Sequence, residues 1–142
     1  MAKITKPRNS RQLATQIAQL ASNKLAENIL ILDLRKIDSS PADFFVICTA
    51  LSNSQSKAIF EEIYTTLKSE GINMPKTEGT DSLDWILLDY FDVVVHIMSV
   101  SARNYFKLER IWSDAKIQTI EDDKIVDFDK NLLKEIYLVP TV

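Results

Sequence analysis

The 142-residue chain has one cysteine, one histidine, two glycines and four prolines. Each scarcity narrows what the protein can be. A single Cys48 excludes an intramolecular disulfide and a cysteine-based metal cage, and it suits a reducing compartment. One His96 and no H-E-x-x-H leave a catalytic metal without its usual clustered ligands. Two glycines cannot build the Gly-rich loop that cradles a nucleotide phosphate. No apolar run reaches membrane-spanning length. The net charge of −3 and pI near 5.2 argue against a free nucleic-acid binder, which needs many phosphate-neutralising cations.

What is present is a globular composition, 46% hydrophobic and 26% charged. The length suits one domain with a real core. Charge is uneven: residues 1–26 hold no Asp or Glu but carry Lys3, Lys6, Arg8, Arg11 and Lys24. Such a stretch can be an organelle leader. The apolar spacing from Leu13 onward reads instead as the first helix of the fold, preceded by a flexible basic arm over residues 1–9. The far end is acidic, with Glu121, Asp122, Asp123, Asp127 and Asp129.

Asn9 or Ser10 is expected to cap a helix whose stripe is Leu13, Ile17, Leu20, Ala21 and Leu25, running to about Glu27. Strands follow over residues 29–34 and 43–49, separated by turn chemistry at Asp38-Ser39-Ser40-Pro41. Ser52-Asn53-Ser54-Gln55 is a capping box that opens a second helix ending at Gly71. Residues 84–98 form two apolar runs joined at Tyr90-Phe91-Asp92, an antiparallel hairpin. Ser101 is expected to cap a third helix with Tyr105, Leu108 and Trp112 on one face. A last short helix over 129–137 is weakly patterned. The order α-β-β-α-β-β-α predicts an α/β single domain, a mixed sheet flanked by helices, with the middle helix as crossover.

The hairpin carries the polar and aromatic markers. Alternation puts Trp85, Leu87 and Asp89 with Val94, His96 and Met98 on one face. Ile86, Leu88, Val93, Val95 and Ile97 form the other face, uniformly apolar and expected to be core. The mixed face is either an uncovered protein-recognition patch or lies under a helix, with Trp85 ordinary core and His96 a satisfied buried imidazole. Two catalytic readings are weak. Asp89 and Asp92 could hold Mg²⁺, but turn chemistry and a solvated strand position explain them more simply. A Cys48–His96 dyad requires neighbouring strands, yet Cys48 sits in an apolar run where an inert thiol is the commoner state. No catalytic residue, metal site or cofactor is assigned.

One string of residues is specific. Glu78-Gly79, Trp85-Ile86-Leu87-Leu88-Asp89-Tyr90, Asp92-Val93-Val94-Val95-His96-Ile97-Met98 and Arg103-Asn104-Tyr105-Phe106-Lys107-Leu108-Glu109-Arg110-Ile111-Trp112 resemble the ribosomal silencing factor (Iojap-related) family. Residues 42–49 fit the same family's second strand. The resemblance covers about residues 10–114, and leaves 115–142 as an acidic C-terminal extension of unassigned role. It implies a nucleotidyltransferase-like fold without the catalytic carboxylates, so not an enzyme; a nucleotidyltransferase-like enzyme is the alternative. It further implies a translational repressor, a homodimer by itself. That repressor binds the large ribosomal subunit through a basic ribosomal protein at the subunit interface and sterically blocks small-subunit joining when nutrients are scarce. No cofactor, membrane or sequence-specific nucleic acid is expected. A bacterial cytoplasmic location is expected, with an organelle as the alternative.

The family's contact surface carries over to Trp85, Asp89, Tyr90, His96 and Met98, with Glu78 and Arg103 as neighbours. Trp85 would be the apolar anchor and Met98 an adaptable packing partner. His96 would supply a hydrogen bond, while Asp89 and Glu78 would face basic residues. Tyr90 belongs to the opposite alternation set and joins only if the turn swings it round. For Arg103 and Glu109 an ion pair that positions the third helix is the simpler role. The chain departs from the family at Phe91, Ala50 and Gln55, where Gly, Gly and His are usual. Phe91 at a left-handed position costs on the order of 1–2 kcal/mol if the turn is kept, so either the turn is rearranged or the ring adds to the contact.

Overall fold

A computed structural model describes residues 6–137. The basic arm's first five residues lie outside the described part, as does the end of the chain beyond Tyr137. Seven strands form one mixed sheet with helices on both faces. We number the strands β1 Glu27–Asp33, β2 Phe44–Ala50, β3 Lys76–Glu78, β4 Trp85–Asp89, β5 Val93–Ser99, β6 Lys116–Glu121 and β7 Lys124–Asp127. The helices are α1 Ser10–Asn23, α2 Asn53–Ser69, α3 Val100–Phe106, α4 Leu108–Ile111 and α5 Leu133–Ile136, the last preceded by a 3-10 turn at Lys130–Leu132.

The spatial order is β3-β4-β5-β2-β1-β6-β7, and β2–β5 is the one parallel pair among the described strands. The predicted β4–β5 hairpin forms, and β1 pairs antiparallel with β2 across the turn at residues 38–41. Strand alternation sends Ile31, Phe44, Val46, Cys48, Ile86, Leu88, Val95 and Ile97 to one face. There they meet Leu13, Ile17 and Ala21 of α1 and Ile59, Ile63 and Leu67 of α2. The opposite face presents Leu30, Leu32, Phe45, Ile47 and Met98 to Ala102 of α3, Leu108 of α4 and Leu133 and Ile136 of α5.

The caps follow sequence. Asn9 accepts from the Gln12 amide at 2.9 Å, so α1 starts where expected. It stops at Asn23, short of Glu27, because Lys24 and Leu25 leave helical geometry and Leu25 takes φ +63. Ser52 accepts from the Gln55 amide at 3.1 Å. Gln55 reaches back one residue further than a capping box requires, to the Leu51 amide at 2.7 Å. The third helix differs. Its cap is Ser99, not Ser101, and it breaks at Lys107, which is left-handed at φ +45. That break turns Tyr105 out to solvent while Leu108 packs inward, so the two do not share a face.

Two regions outside the expected elements are strands. Residues 76–78 pair with β4 at one sheet edge. Residues 116–127 form a hairpin that pairs with β1, with Ala115 and Ile117 buried in the core. Its two-residue turn is Asp122-Asp123, both at positive φ, the backbone of a primed turn built without glycine.

Candidate functional site

The β4–β5 register pairs Trp85 with Met98, Leu87 with His96 and Asp89 with Val94, so the mixed face is assembled as alternation predicts. Its accessibility is not as expected. His96 is 4% exposed, Met98 0% and Arg103 1%. The reason is that α3 and α4 fold back over this face directly after β5. Ala102 and Leu108 join Met98 in one apolar cluster. Phe45 stacks edge-on against His96 with ring centroids 4.6 Å apart, and Trp112 stands behind Phe45 at 5.9 Å. The face therefore divides into a covered floor, His96 and Met98, and an accessible lip.

The lip is aromatic. Trp85 is half-buried and lies 4.7 Å from the Phe106 ring, which meets the Tyr105 ring at 4.9 Å. Phe106 is 46% exposed and Tyr105 81%. Neither was named as a contact residue from sequence. The signal available was two adjacent aromatics at 105–106, which no single helix face can bury together. Glu78, Gly79, Trp85 and Leu87 line a shallow crevice of about 330 Å³ beside them.

The orientation of Trp85 is built in. Its indole Nε1 donates to His96 Nδ1 at 3.0 Å. That bond puts the proton of a neutral imidazole on Nε2, which is shut from solvent without a partner. Burial, with the Arg103 charge as a lesser cause, holds the His96 pKa down at about 4, so the ring is neutral at pH 7. Gly79 fixes the backbone side: a Cβ there would sit 1.9 Å from the Trp85 carbonyl oxygen, and its φ is +79. His96 thus positions the tryptophan rather than facing a partner.

Phe91 occupies the hairpin tip at φ +78. The Asp92 amide donates to Tyr90 O at 3.1 Å, an i→i+2 bond that closes a γ-turn on Phe91. Asp89 Oδ1 accepts from the Phe91 amide at 2.8 Å and stabilises the strained turn. The glycine-type geometry is kept, and the Phe91 ring is 84% exposed. Tyr90 stays on the opposite face, against the α1–α2 core, as its alternation set requires. Burial raises its phenol pKa.

Arg103 belongs to the interior. Its Nε donates to Glu109, its Nη1 to Thr49 Oγ1 at 2.9 Å and its Nη2 to Asn28 O at 2.9 Å. Tyr137 donates to the other Glu109 oxygen at 2.5 Å. One guanidinium joins β1, β2, α3 and α4, and Glu109 carries the network on to Tyr137 at the end of the described chain.

The catalytic candidates are not assembled. Cys48 and His96 are on neighbouring strands but opposite faces, one in each core cluster side. Burial pushes the Cys48 thiol up to about 12, which makes it inert. Among the described residues no three His, Cys, Asp or Glu side chains are grouped to hold a metal. None of the described helices is long and apolar enough to cross a membrane.

The fold and lip define a class: a mixed α/β module whose accessible feature is an aromatic, acid-rimmed surface. The chain belongs to the ribosomal silencing factor family. The family model "Ribosomal silencing factor during starvation" matches residues 7–135. The chain is 38% identical over 113 residues to the Bacillus subtilis ribosomal silencing factor, spanning 80% of this chain and 95% of that one. A Zea mays relative, the chloroplastic protein Iojap, is 32% identical over 102 residues, 72% of this chain and 44% of that one. The crystal structure of a Chromobacterium violaceum protein superposes with a TM-score of 0.70 at 28% identity, covering 74% of this chain and 87% of that one.

Proposed function

We propose that this chain is a translational repressor that binds the large ribosomal subunit through a basic ribosomal protein at the subunit interface. Bound there, it blocks small-subunit joining by occupying the space, without catalysis or cofactor. The observation that carries this reading is the Trp85–Phe106–Tyr105 lip, an exposed aromatic cluster in a family named for silencing ribosomes. Trp85 is the anchor, locked by His96 and Gly79 so that little side-chain entropy is lost on docking. Exposed Glu78 and half-exposed Asp89 supply acidic groups for basic residues on the partner. His96, Met98 and Arg103 serve from beneath, as supports. Tyr90 is held to the other face and contributes only through the turn. The site of action is the bacterial cytoplasm, in keeping with the bacterial relatives.

The test is sedimentation of the purified protein with purified large subunits. The wild type should co-sediment, and Trp85→Ala should bind at least thirtyfold more weakly, the loss expected of about 2 kcal/mol at an aromatic hot spot, while keeping its far-UV circular dichroism. A folded Trp85→Ala protein that binds as well as wild type removes the lip from the interface. A wild type that stays at the top of the gradient removes the function.

A further inference from the structure

The C-terminal segment packs against the elbow that joins α3 to α4. Leu133 and Ile136 of α5 are buried in one apolar cluster with Ala102 of α3 and Leu108 of α4. Next comes Tyr137, just past the residues 7–135 that the family model matches. Its hydroxyl donates to the Glu109 carboxylate at 2.5 Å. Its ring faces two cations, with Lys107 Nζ 5.4 Å and Arg110 Cζ 5.2 Å from the centroid. We infer that Tyr137 is a positioning residue for the aromatic lip: it fixes the α3–α4 elbow, and through it the stand of Phe106 against Trp85. The inference deepens the ribosomal reading and rests on it.

The elbow needs an outside hold. Lys107 is left-handed at φ +45 and ψ 52, a conformation an L-residue adopts against a steric cost. The helix before it, α3, has seven residues, too few to stand on its own hydrogen bonds. Its last turn presents Tyr105 and Phe106 and closes on the Lys107 amide, which donates to Arg103 O at 3.2 Å. Tyr137 reaches both ends of that bond. The ring meets Lys107 directly, and the hydroxyl shares Glu109 with the Arg103 guanidinium. Glu109 is 0% exposed, so no water competes for the phenol bond. An aromatic face attracts a cation where an aliphatic side chain of similar volume does not. The identity of the ring, and not filled space alone, therefore holds the elbow. Phe106, the residue before Lys107, carries that hold to Trp85, with ring centroids 4.7 Å apart.

The test compares Tyr137→Phe and Tyr137→Leu in the full chain, at a temperature where urea unfolding shows both folded. Two readouts are taken: nuclear Overhauser contacts between the Trp85 and Phe106 rings, and co-sedimentation with purified large subunits. Tyr137→Leu should lose those ring contacts and bind about five- to tenfold more weakly, because the lip rings must then be ordered on docking. Tyr137→Phe keeps a ring face for Lys107 and Arg110, so it should keep the ring contacts and bind within about twofold of wild type. The inference is overturned if Tyr137→Leu keeps the ring contacts or binds as wild type does. It is equally overturned if the phenylalanine variant binds no better than the leucine one, as mere filling of space requires. If the wild type does not bind, or Trp85→Ala binds equally well, the ribosomal reading fails, and the ring contacts alone decide the role of Tyr137.

Discussion

Replacing Arg103 by methionine probes the interior network on which the third helix rests. The guanidinium is 1% exposed and Glu109 0%, so each is the other's main compensation for leaving water. Arg103→Met keeps the length of the stem and leaves the Glu109 carboxylate buried with Tyr137 as its one remaining donor. Removing one partner of a buried pair costs about 3–5 kcal/mol. Thr49 Oγ1 and Asn28 O lose a donor each, which adds to the cost rather than offsetting it. Domains of this size have about 5–15 kcal/mol in total. With a urea m-value of about 2 kcal/mol/M, the midpoint should fall by about 2 M. The double variant Arg103→Met, Glu109→Leu removes the stranded charge and should recover most of the loss. A single variant that costs under about 1 kcal/mol, or a double variant no better than the single, would show that the pair behaves like a solvated surface bridge.

Phe91→Gly sets two effects against each other. Relief of a left-handed phenylalanine is worth about 1–2 kcal/mol, against about 0.4–1 kcal/mol for the freer unfolded glycine. The exposed ring contributes little burial, so thermal unfolding should shift upward by a few degrees; a downward shift refutes the strain argument. His96 is neutral in the fold down to about pH 4, whereas the unfolded imidazole takes a proton below its ordinary 6.5. Its contribution is therefore fully present above pH 6.5 and lost as pH falls toward 4, about 3 kcal/mol in all. His96→Phe should flatten urea stability over that window, and an unchanged slope sinks the assignment. Asp33, held low chiefly by its hydrogen bond from Arg35, acts only below the ordinary carboxylate range and does not confuse the measurement. Gly79→Ala should shift Trp85 fluorescence by displacing the β4 backbone, and an unaltered spectrum would mean the loop moves instead.

The parts of the fold carried by local pattern were legible. Period-two alternation placed the β4–β5 register and separated the two faces, and capping chemistry located the starts of α1 and α2. The covering of His96 and Met98 was not, because it depends on α3 breaking at a left-handed Lys107, for which lysine is no signal. The family resemblance favoured an open face, and the chain instead exposes only its rim. The β6–β7 hairpin escaped because its turn is Asp122-Asp123 rather than a glycine pair, although Ile117, Thr119, Ile120, Ile125 and Val126 are β-branched. Tyr105 was assigned to a helix stripe with Leu108 and Trp112, whereas the break sends it outward beside Phe106. The tension over Phe91 resolves toward a preserved turn, with Asp89 occupied in holding it.

The central claim is that the aromatic lip holds this protein on the large subunit where the small subunit must dock. Light scattering of purified small and large subunits mixed at joining conditions reads this directly. Pre-incubating large subunits with the wild-type protein should lower the joined fraction in proportion to occupancy, and Trp85→Ala should leave joining at its unblocked level. Undiminished joining by large subunits that carry the bound wild-type protein would contradict the account.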